Sequence, residues 1–342
     1  MRFLSVSRRF GFYARLAKHY PPLPKIAPSA PTGRYGESLI PNLMISIIIP
    51  TYNFDCSKLV GELQKQCEEV KDKDSDFEYE IMVGDDHSTD IESIACNAAI
   101  EALPHCIYKL YDKNAGRTGN RNRLIDECRK KWVLIIDADA EVVTPNFILN
   151  YWTATGVHHD ANIFVGGMVT PPVAAPGCEL RHRYELHADK TRTLTFRRAH
   201  PADHFSTFNV MVRHSVLDTL RFDSRCTEYG YEDALFGIEA ERRGHRMVHI
   251  DNPLLHTGIN TSVQFLENTE AALRMLYKIG TPMTERARVA VTAERLRRWG
   301  CAPLARWLFC TTAPLMRINL LSHHPSLKLF AFYKLGYFLS LH

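Results

Sequence analysis

The sequence predicts an α/β fold in which a mostly parallel sheet is flanked by helices and followed by a C-terminal helical region. Between residues 44 and 140, apolar stretches of strand length alternate with longer stretches of helical pattern. The strands are almost continuously hydrophobic, which is typical of parallel sheets covered on both faces. From residue 261 onward the pattern is helical.

The first strand is expected at Ile45–Asn53, in "ISIIIPTYN", and a helix at about Ser57–Val70. Three more strands are predicted in "YEIMVGDD", "CIYKLYD" and "WVLIID". Helices are expected between them, at about Ile91–Leu103 and in "RTGNRNRLIDECRKK". This alternation predicts consecutive parallel strands, and in such sheets ligands bind at the carboxyl ends of the strands.

Residues 140–260 break the strict alternation. "IFVGGMVTPP" predicts a strand with a glycine kink, and "FSTFNVMVRHSVLDTL" a strand that leads into a helix. "YGYEDALFGIEAERRGH" predicts a loop that opens a helix, and "RMVHIDNPLLHTG" a final strand and loop. The helical C-terminal region then begins with "SVQFLENTEAALRMLYKIG".

The charge is unevenly distributed. The net charge of +4 combines +6 in residues 1–43, +7 in residues 281–342 and −9 in the middle. An acidic middle argues against nucleic-acid binding, whereas basic ends suit anionic lipid headgroups. Nine scattered cysteines without a CxxC motif favour reduced thiols. With no apolar run of membrane-spanning length, we expect a cytoplasmic protein, with peripheral contact at the inner face of the membrane as an option.

Residues 1–43 have two interpretations. The first twenty residues are basic, aromatic and free of acidic side chains, and six prolines follow within residues 21–43. They suit a short amphipathic anchor followed by an extended linker. Alternatively, the native chain starts at Met44, because "MISIIIPTYN" already has the pattern of a first strand. Both interpretations stay open at this stage.

Two carboxylates follow the strand "WVLIID" directly, in Asp137-Ala138-Asp139. Carboxylates one residue apart at a strand end are well placed to hold one hard divalent cation, Mg²⁺ or Mn²⁺, which then bridges substrate phosphates. The alternative for an isolated D-x-D pattern is a solvated loop. The buried strand before it favours the metal site.

Polar side chains also follow the first two strands. Asp85 and Asp86, in "GDDHSTD", suit hydrogen bonds to a ribose or a base edge, and Thr51 and Tyr52 suit a similar contact. The alternatives are a helix N-cap in the first case and a plain turn in the second. Because the strand ends share one edge of the sheet, we expect these residues to lie beside the D-x-D pair.

Five stretches occur together in order: "SIIIPTYN", "IMVGDDHSTD", "NAGRTGNRNRLID", "WVLIIDADAEV" and "GYEDALFGIEAERRG". They resemble the successive motifs of family 2 glycosyltransferases, which have the Rossmann-like GT-A fold, over roughly residues 44–258. The resemblance implies a nucleotide-sugar donor, favouring a UDP-sugar, a Mn²⁺ or Mg²⁺ cofactor and inversion at the anomeric carbon. His87 departs from the glycine of the family motif.

The resemblance also implies roles for particular residues. Asp233 corresponds to the catalytic base and Glu232 to a supporting group, while Arg121, or else Arg117, would contact the diphosphate or base. The alternatives are acidic residues that complement a helix dipole, and arginines on a solvated helix face. Helix-dipole proximity would help to keep the base deprotonated.

Three more residues complete the candidate set. His256 lies where relatives place a histidine that reaches the metal or diphosphate, so the expected metal set is Asp137, Asp139 and His256. Gly167, in "VGGMV", would let the backbone approach the donor sugar, with a bulge as the alternative. Asn209 corresponds to a contact with sugar or acceptor, and Asp137 is also expected to contact the donor.

The resulting hypothesis is an inverting glycosyltransferase that moves a sugar to a hydroxyl of a glycan or lipid-linked acceptor, in bacterial surface polysaccharide synthesis. The alternative is a non-catalytic nucleotide-sugar-binding or assembly protein. Residues 44–260 would form the GT-A catalytic domain. Residues 261–342 would lie on a bilayer, pack on that domain or form a homodimer. A nucleotidyltransferase or Rossmann dehydrogenase is disfavoured, since no glycine-rich loop follows the first strand.

Overall fold

The computed structural model describes residues 43–226 and 229–341. Apart from Leu43, the predicted basic segment and linker lie outside the described residues. The strands belong to two sheets and are β1 (Met44–Thr51), β2 (Glu78–Asp85), β3 (Cys106–Leu110), β4 (Trp132–Ile136), β5 (Ala140–Glu141), β6 (Ile163–Val165), β7 (Met168–Val169), β8 (Asn209–Arg213), β9 (Met247–His249) and β10 (Leu254–His256).

The helices surround these strands and then continue to the C-terminus. They are α1 (Ser57–Lys71), α2 (Ile91–Ala98), α3 (Gly116–Glu127), α4 (Phe147–Val157), α5 (Glu179–Thr191), α6 (Leu194–Ala199), α7 (His214–Leu217), α8 (Glu232–Arg242), α9 (Ser262–Ile279), α10 (Met283–Arg286), α11 (Arg288–Arg298), α12 (Ala302–Leu320) and α13 (Leu327–Ser340). Short 3₁₀ turns follow α2 and precede β8.

The central sheet has seven strands in the order β3-β2-β1-β4-β8-β6-β9. The four strands β1 to β4 are parallel, as the strand–helix alternation predicts. β8 is antiparallel to both of its neighbours. The chain order reverses between β1 and β4, so their carboxyl ends flank the crevice where α/β sheets bind ligands.

A second sheet of three strands, β5-β10-β7, lies beyond the D-x-D turn. The glycine pair predicted as a kink separates β6 of the large sheet from β7 of the small one, and "RMVHIDNPLLHTG" forms two strands, one in each sheet. In the small sheet, His256 of β10 pairs antiparallel with Ala140 of β5. This register places a histidine beside the residue that follows Asp139.

Two apolar cores cover the two faces of the central sheet. Alternate residues of β1 point to opposite faces, so Ile47 and Ile49 pack in one core and Ile48 in the other. Helices α1 and α4 contribute to the first core, and α3 and α8 to the second. A sheet buried on both faces accounts for the continuous hydrophobic runs of its strands.

The helices after β10 pack into two further apolar clusters. One joins α8 and α9 to α11 and α13, and the other joins α5 and α9 to α12 and α13. α12 and α13 approach closely at Gly336, where an added Cβ would overlap the side chain of Phe309. No helix within the described ranges is long and apolar enough to cross a membrane.

We expect Gly336→Ala to lower the free energy of unfolding by about 1–3 kcal/mol, because the new methyl group forces the α12–α13 contact apart. The matched control is Gly61→Ala in α1, where nothing lies within 4 Å of the added Cβ. There the gain in helix propensity raises the free energy of unfolding by about 0.5–1 kcal/mol. Urea denaturation of both variants measures the difference, and equal effects would contradict the close contact.

Candidate active site

The two aspartates of the D-x-D pair occupy a tight turn at the end of β4. The backbone N–H of Asp137 donates to the carbonyl of Phe208 (3.2 Å), and the N–H of Ala140 donates to the carbonyl of Asp137 (3.1 Å). The side chains of Asp137 and Asp139 are about one-quarter exposed. The strand therefore delivers both carboxylates to the rim of the sheet.

Arg121 of α3 joins this turn to the start of α8. Its side chain is only 3% exposed, and its Nη2 lies 2.8 Å from Oδ1 of Asp137. Its Nη1 lies 3.6 Å from Asp233 and 3.7 Å from Glu232. One buried guanidinium thus holds the D-x-D pair and the Glu232-Asp233 pair, the E-D motif, on the same side of the sheet.

Burial and mutual charge shift the pKa values of this cluster in a consistent way. Burial alone would lower the pKa of Arg121, but the carboxylates of Asp137, Asp233 and Glu232 outweigh burial and raise it. The pKa of Glu232 is raised, first by burial and then by the neighbouring Asp233. Arg121 is therefore a permanent cation, whereas ionisation of Glu232 is disfavoured.

Asp233 lies in the first turn of α8, close after Tyr231, whose φ of 68° is in the left-handed region. Its carboxylate accepts hydrogen bonds from the backbone N–H (3.0 Å) and the hydroxyl (2.7 Å) of Thr207. The side chain remains 29% exposed. Asp233 is thus fixed in direction but still reachable from solvent.

A second chain of contacts runs from Asp139 into the protein. Nε2 of His256 lies 3.3 Å from Oδ2 of Asp139, and Nδ1 of His256 lies 3.0 Å from the carboxylate of Glu185 in α5. Glu185 is buried and also pairs with Arg181 one turn earlier. The imidazole of His256 is therefore held between an inner carboxylate and the rim aspartate.

This arrangement shifts the pKa of each member. Burial would lower the pKa of His256, but its contacts with Asp139 and Glu185 raise it to about 9. Burial opposes ionisation of Asp139 and Glu185, yet the hydrogen bond of each with His256 lowers their pKa values. The charged imidazolium therefore offsets the burial of two carboxylates.

Asp139 and His256 could hold a divalent cation together once Nε2 of His256 has given up its proton, because only a neutral imidazole binds a metal. Among the residues that the structure describes, no group of three or more Asp, Glu, His or Cys side chains gathers closely enough to hold a metal, and Asp137 is bound to Arg121. A metal here would be held by these two residues, with the remaining positions left to substrate and water. Glu185 lies on Nδ1, the position from which an outer carboxylate would orient a metal-binding histidine.

Asp85 and Asp86 are buried and organise the neighbouring loops. Asp85 accepts hydrogen bonds from the backbone N–H of Ser88 (2.8 Å) and the hydroxyl of Tyr108 (2.7 Å). Asp86 accepts from the backbone N–H of Ala115 (2.7 Å). The N-cap of α2 is Asp90, whose side chain accepts a hydrogen bond from the backbone N–H of Ser93 (3.2 Å).

The other candidates differ in accessibility. Thr51 is buried and donates to the carbonyl of Phe54 (3.0 Å), whereas Tyr52 is half exposed. Arg117 is exposed, and its guanidinium lies 4.8 Å from the ring centroid of Tyr229. Contact with the nucleotide sugar stays a prediction for five residues: Thr51, Tyr52, Asp85, Asp86 and Arg117.

Gly167 and Asn209 are joined by a hydrogen bond within one network. Gly167 has φ of 95°, and an added Cβ would meet the guanidinium of Arg197 at 2.9 Å. The Asn209 amide donates to the carbonyls of Gly167 (3.0 Å) and Asn252 (2.8 Å) and accepts from Tyr151 (2.7 Å). The side chain of Asn209 is thus fully engaged within the protein, and its contact with sugar or acceptor stays a prediction.

Sequence reasoning missed two residues that position the site. Thr207 lies two residues before Asn209 in "STFNVMV". Nothing in the sequence between Thr207 and Asp233 predicts that the two side chains are in contact. Glu185 lies in α5, for which no motif predicted a role. Both reach the site through tertiary contacts alone.

We expect Arg121→Met to lower the free energy of unfolding by about 3–5 kcal/mol, because it leaves partly buried carboxylates without their shared cation. The matched control is Arg123→Met in the same helix. Arg123 is about one-third exposed and lies 3.5 Å from Asp86, so its loss should cost about 0–1 kcal/mol. Urea denaturation compares the two, and a loss at Arg121 as small as that at Arg123 would contradict the role given to Arg121.

The raised pKa of Glu232 predicts a pH-dependent effect of Glu232→Gln. Above the ordinary pKa of 4.5, folded Glu232 binds more protons than the unfolded residue, so the parent loses stability as pH rises. The glutamine side chain of the variant would not titrate. The free energy of unfolding of Glu232→Gln, minus that of the parent, should therefore increase as the pH rises above 4.5. Urea denaturation across this range measures it, and a flat or falling difference would contradict the shift.

Comparison with known proteins reveals similarity to sugar-transferring enzymes. A stretch of 112 residues is 31% identical to the dolichyl-phosphate beta-glucosyltransferase of Dictyostelium discoideum, spanning 32% of this chain and 34% of that protein. Among solved structures, the chain resembles the Pyrobaculum calidifontis mannosyltransferase PcManGT in complex with GDP-Man and Mn²⁺. The TM-score is 0.50 and the identity 16%, over 98% of this chain and 94% of that one.

Staphylococcus aureus TarS, residues 1–349, is similar with a TM-score of 0.46 and 19% identity, over 71% of this chain and 68% of that one. The matched stretch of the Dictyostelium relative is about a third of its length. The predicted GT-A type fold is confirmed. The Glycosyl transferase family 2 model matches residues 46–221, half of the chain, from β1 through the D-x-D turn to the loop after α7. The chain belongs to glycosyl transferase family 2.

Proposed function

We propose that this chain is an inverting glycosyltransferase that moves a sugar from a nucleoside diphosphate to an acceptor hydroxyl. The observation that carries the proposal is the joint contact of Arg121 with Asp137 and Asp233. It brings the strand-end carboxylate of the D-x-D pair and the first turn of α8 to one rim of the sheet. A donor and an acceptor bound at that rim would meet between these two motifs.

Asp233 is the proposed general base. Its carboxylate is oriented by Thr207 and is partly exposed, so an acceptor can reach it. In the reaction, Asp233 takes the proton of the acceptor hydroxyl as the hydroxyl oxygen bonds to the anomeric carbon. The bond between that carbon and the diphosphate oxygen breaks on the opposite face, and the nucleoside diphosphate leaves with the electron pair.

Asp139 and His256 are the proposed holders of a Mn²⁺ or Mg²⁺ ion. Asp137 was expected to join them, but its contact with Arg121 favours an organising role. A divalent cation at this position would neutralise negative charge on the departing diphosphate. The Pyrobaculum mannosyltransferase is described in complex with Mn²⁺ and GDP-Man, which supports testing both GDP- and UDP-sugars.

On the donor side, we assign direct contact with the nucleotide to Tyr52 and Arg117, because both side chains are exposed at the strand-end rim. The buried residues Asp85 and Asp86 would instead shape the loops around the nucleotide. Arg121 is enclosed by carboxylates, so we give it the role of organising them instead of contacting the diphosphate. Gly167 and Asn209 would fix the backbone beside the donor sugar.

The proposed acceptor is a glycan or lipid-linked hydroxyl compound, within the synthesis of a bacterial surface polysaccharide. The Dictyostelium relative is described as acting with dolichyl phosphate, which supports including lipid-linked acceptors in a screen. The donor screen uses UDP- and GDP-sugars with and without Mn²⁺ and measures released nucleoside diphosphate.

We expect Asp233→Asn to reduce the rate of transfer by at least about a hundredfold, because the amide cannot take the acceptor proton. Donor affinity, measured by calorimetry, should stay within about threefold of the parent, since the change removes one charge and little volume. The matched control is Asp203→Asn, an exposed aspartate elsewhere. Transfer by Asp233→Asn at the parental rate would contradict the assignment of Asp233 as the base. A parent protein that binds the donor but transfers no sugar would favour the non-catalytic alternative.

The metal assignment predicts that Mn²⁺ strengthens donor binding in the parent and not in Asp139→Asn. The amide is a weaker ligand for a hard cation than a carboxylate. Calorimetry of UDP- and GDP-sugars, each with Mn²⁺ and with EDTA, measures the effect. The matched control Asp218→Asn should retain it, because Asp218 is exposed and follows the end of β8 that pairs with the start of β4, opposite to the rim. An undiminished Mn²⁺ effect in Asp139→Asn would contradict the assignment.

A further inference from the structure

The outer face of α12 carries a continuous row of exposed apolar side chains, which we call the α12 stripe. It comprises Leu304, Trp307, Leu308, Leu315 and Ile318. Four of them, all but Leu308, are between 63% and 69% exposed. Their spacing places them on one side of the helix, since residues three, four and seven apart share a face. Contiguous apolar surface on a soluble protein is a mark of interaction sites.

The opposite face of α12 is already occupied. Phe309, Met316 and Leu320 are buried in the cluster formed with α5, α9 and α13, and Gly336 of α13 packs against Phe309. The helix therefore has no freedom to turn the stripe inward. Its exposure is a consequence of how the C-terminal helices pack.

The stripe is also free of charge. Thr311 lies between Leu308 and Leu315 on the same face, and its hydroxyl donates to the carbonyls of Trp307 (3.1 Å) and Leu308 (3.0 Å) of the same helix. The neighbouring Thr312 donates to the carbonyl of Leu308 (2.6 Å). Both hydroxyl protons therefore have a partner within the helix, which lowers the cost of removing these side chains from water.

Basic residues adjoin the stripe at the N-terminal end of α12. The last turn of α11 carries Arg295, Arg297 and Arg298, and the junction with α12 exposes Trp299 by 73%. The three arginines border a recess of about 610 Å³ that Tyr277, Glu285 and Glu294 also line. Glu294 pairs with Arg298 (3.2 Å) and Arg297 (3.7 Å), which leaves Arg295 as the arginine of this turn without an ion pair to Glu294. Residues 288–320 contain six arginines and one glutamate, a net charge of +5.

We propose that the α12 stripe, with the arginines of α11, binds the surface of a bilayer that contains anionic phospholipids. The leucines and isoleucine would enter the boundary of the acyl chains, Trp299 and Trp307 would lie at headgroup level, and the arginines would contact lipid phosphates. The charge favours this occupant over a second copy of the chain, because two copies of the segment 288–320, each with an excess of positive charge, would repel each other. The proposal does not rest on the catalytic assignments.

The four tryptophans allow a direct test on the full chain. Trp132 is buried and Trp152 partly buried, whereas Trp307 is exposed within the stripe and Trp299 is exposed next to it. Residues 1–42 contain no tryptophan. Vesicles of phosphatidylglycerol and phosphatidylcholine with brominated acyl chains should therefore quench tryptophan fluorescence. Quenching should disappear in Trp299→Phe with Trp307→Phe. Vesicle binding without quenching would overturn the proposal, because another segment would then make the contact.

A second measurement uses Leu315→Glu and co-sedimentation with the same vesicles. The charge in the stripe should weaken binding by at least about tenfold, while the matched control Val157→Glu, at a position 59% exposed on α4, should bind like the parent. Binding should also weaken in vesicles of phosphatidylcholine alone and in high salt. Equal binding by Leu315→Glu and the parent would overturn the proposal.

Sedimentation velocity tests the second-copy alternative. We expect the parent and Leu315→Glu to sediment as the same oligomeric species. If the parent is a dimer and Leu315→Glu converts it to a monomer while Val157→Glu does not, the stripe is an interface between copies and the membrane proposal is wrong. Both substitutions lie on exposed positions, so melting temperatures near that of the parent should confirm that the variants fold.

Discussion

The buried guanidinium of Arg121 is the constraint on which the arrangement of the site depends. A cation enclosed to this degree must be paired, because an isolated charge in the interior is too costly. Its partners are Asp137, which ends a strand, and Asp233 and Glu232, which begin a helix. Pairing them fixes the position of α8 relative to β4. The arrangement of the candidate site and the packing of the domain therefore depend on the same ion pairs.

A second set of contacts arises from the small sheet. Because β10 runs antiparallel to β5, His256 lies beside Ala140 and reaches back to Asp139. The inner carboxylate of Glu185 then fixes the imidazole. This order, with a buried carboxylate behind a histidine and a rim carboxylate in front of it, holds the imidazole ring in one direction. It also explains why α5, which carries no recognisable motif, belongs to the site.

The uneven charge of the sequence has a structural counterpart. The acidic middle of the chain supplies the carboxylates gathered around Arg121 and His256. The basic C-terminal region supplies the arginines that adjoin the α12 stripe. The net charge of +4 is thus the sum of an acidic middle region and basic ends. The acidic region would require cations to accept a diphosphate, and the basic C-terminal region is complementary to phosphate directly.

The sequence by itself determined the order of strands and helices up to β4, because continuous apolar runs and helical spacing are local signals. Its motifs also identified the acidic residues of the rim and the family. Only the tertiary structure decided the antiparallel insertion of β8, the small sheet and the partners of each charge. Thr207 and Glu185 meet Asp233 and His256 across long stretches of chain, and no local pattern encodes such contacts. Exposure of the α12 stripe was likewise decided by packing, since the same helix is apolar on its buried side.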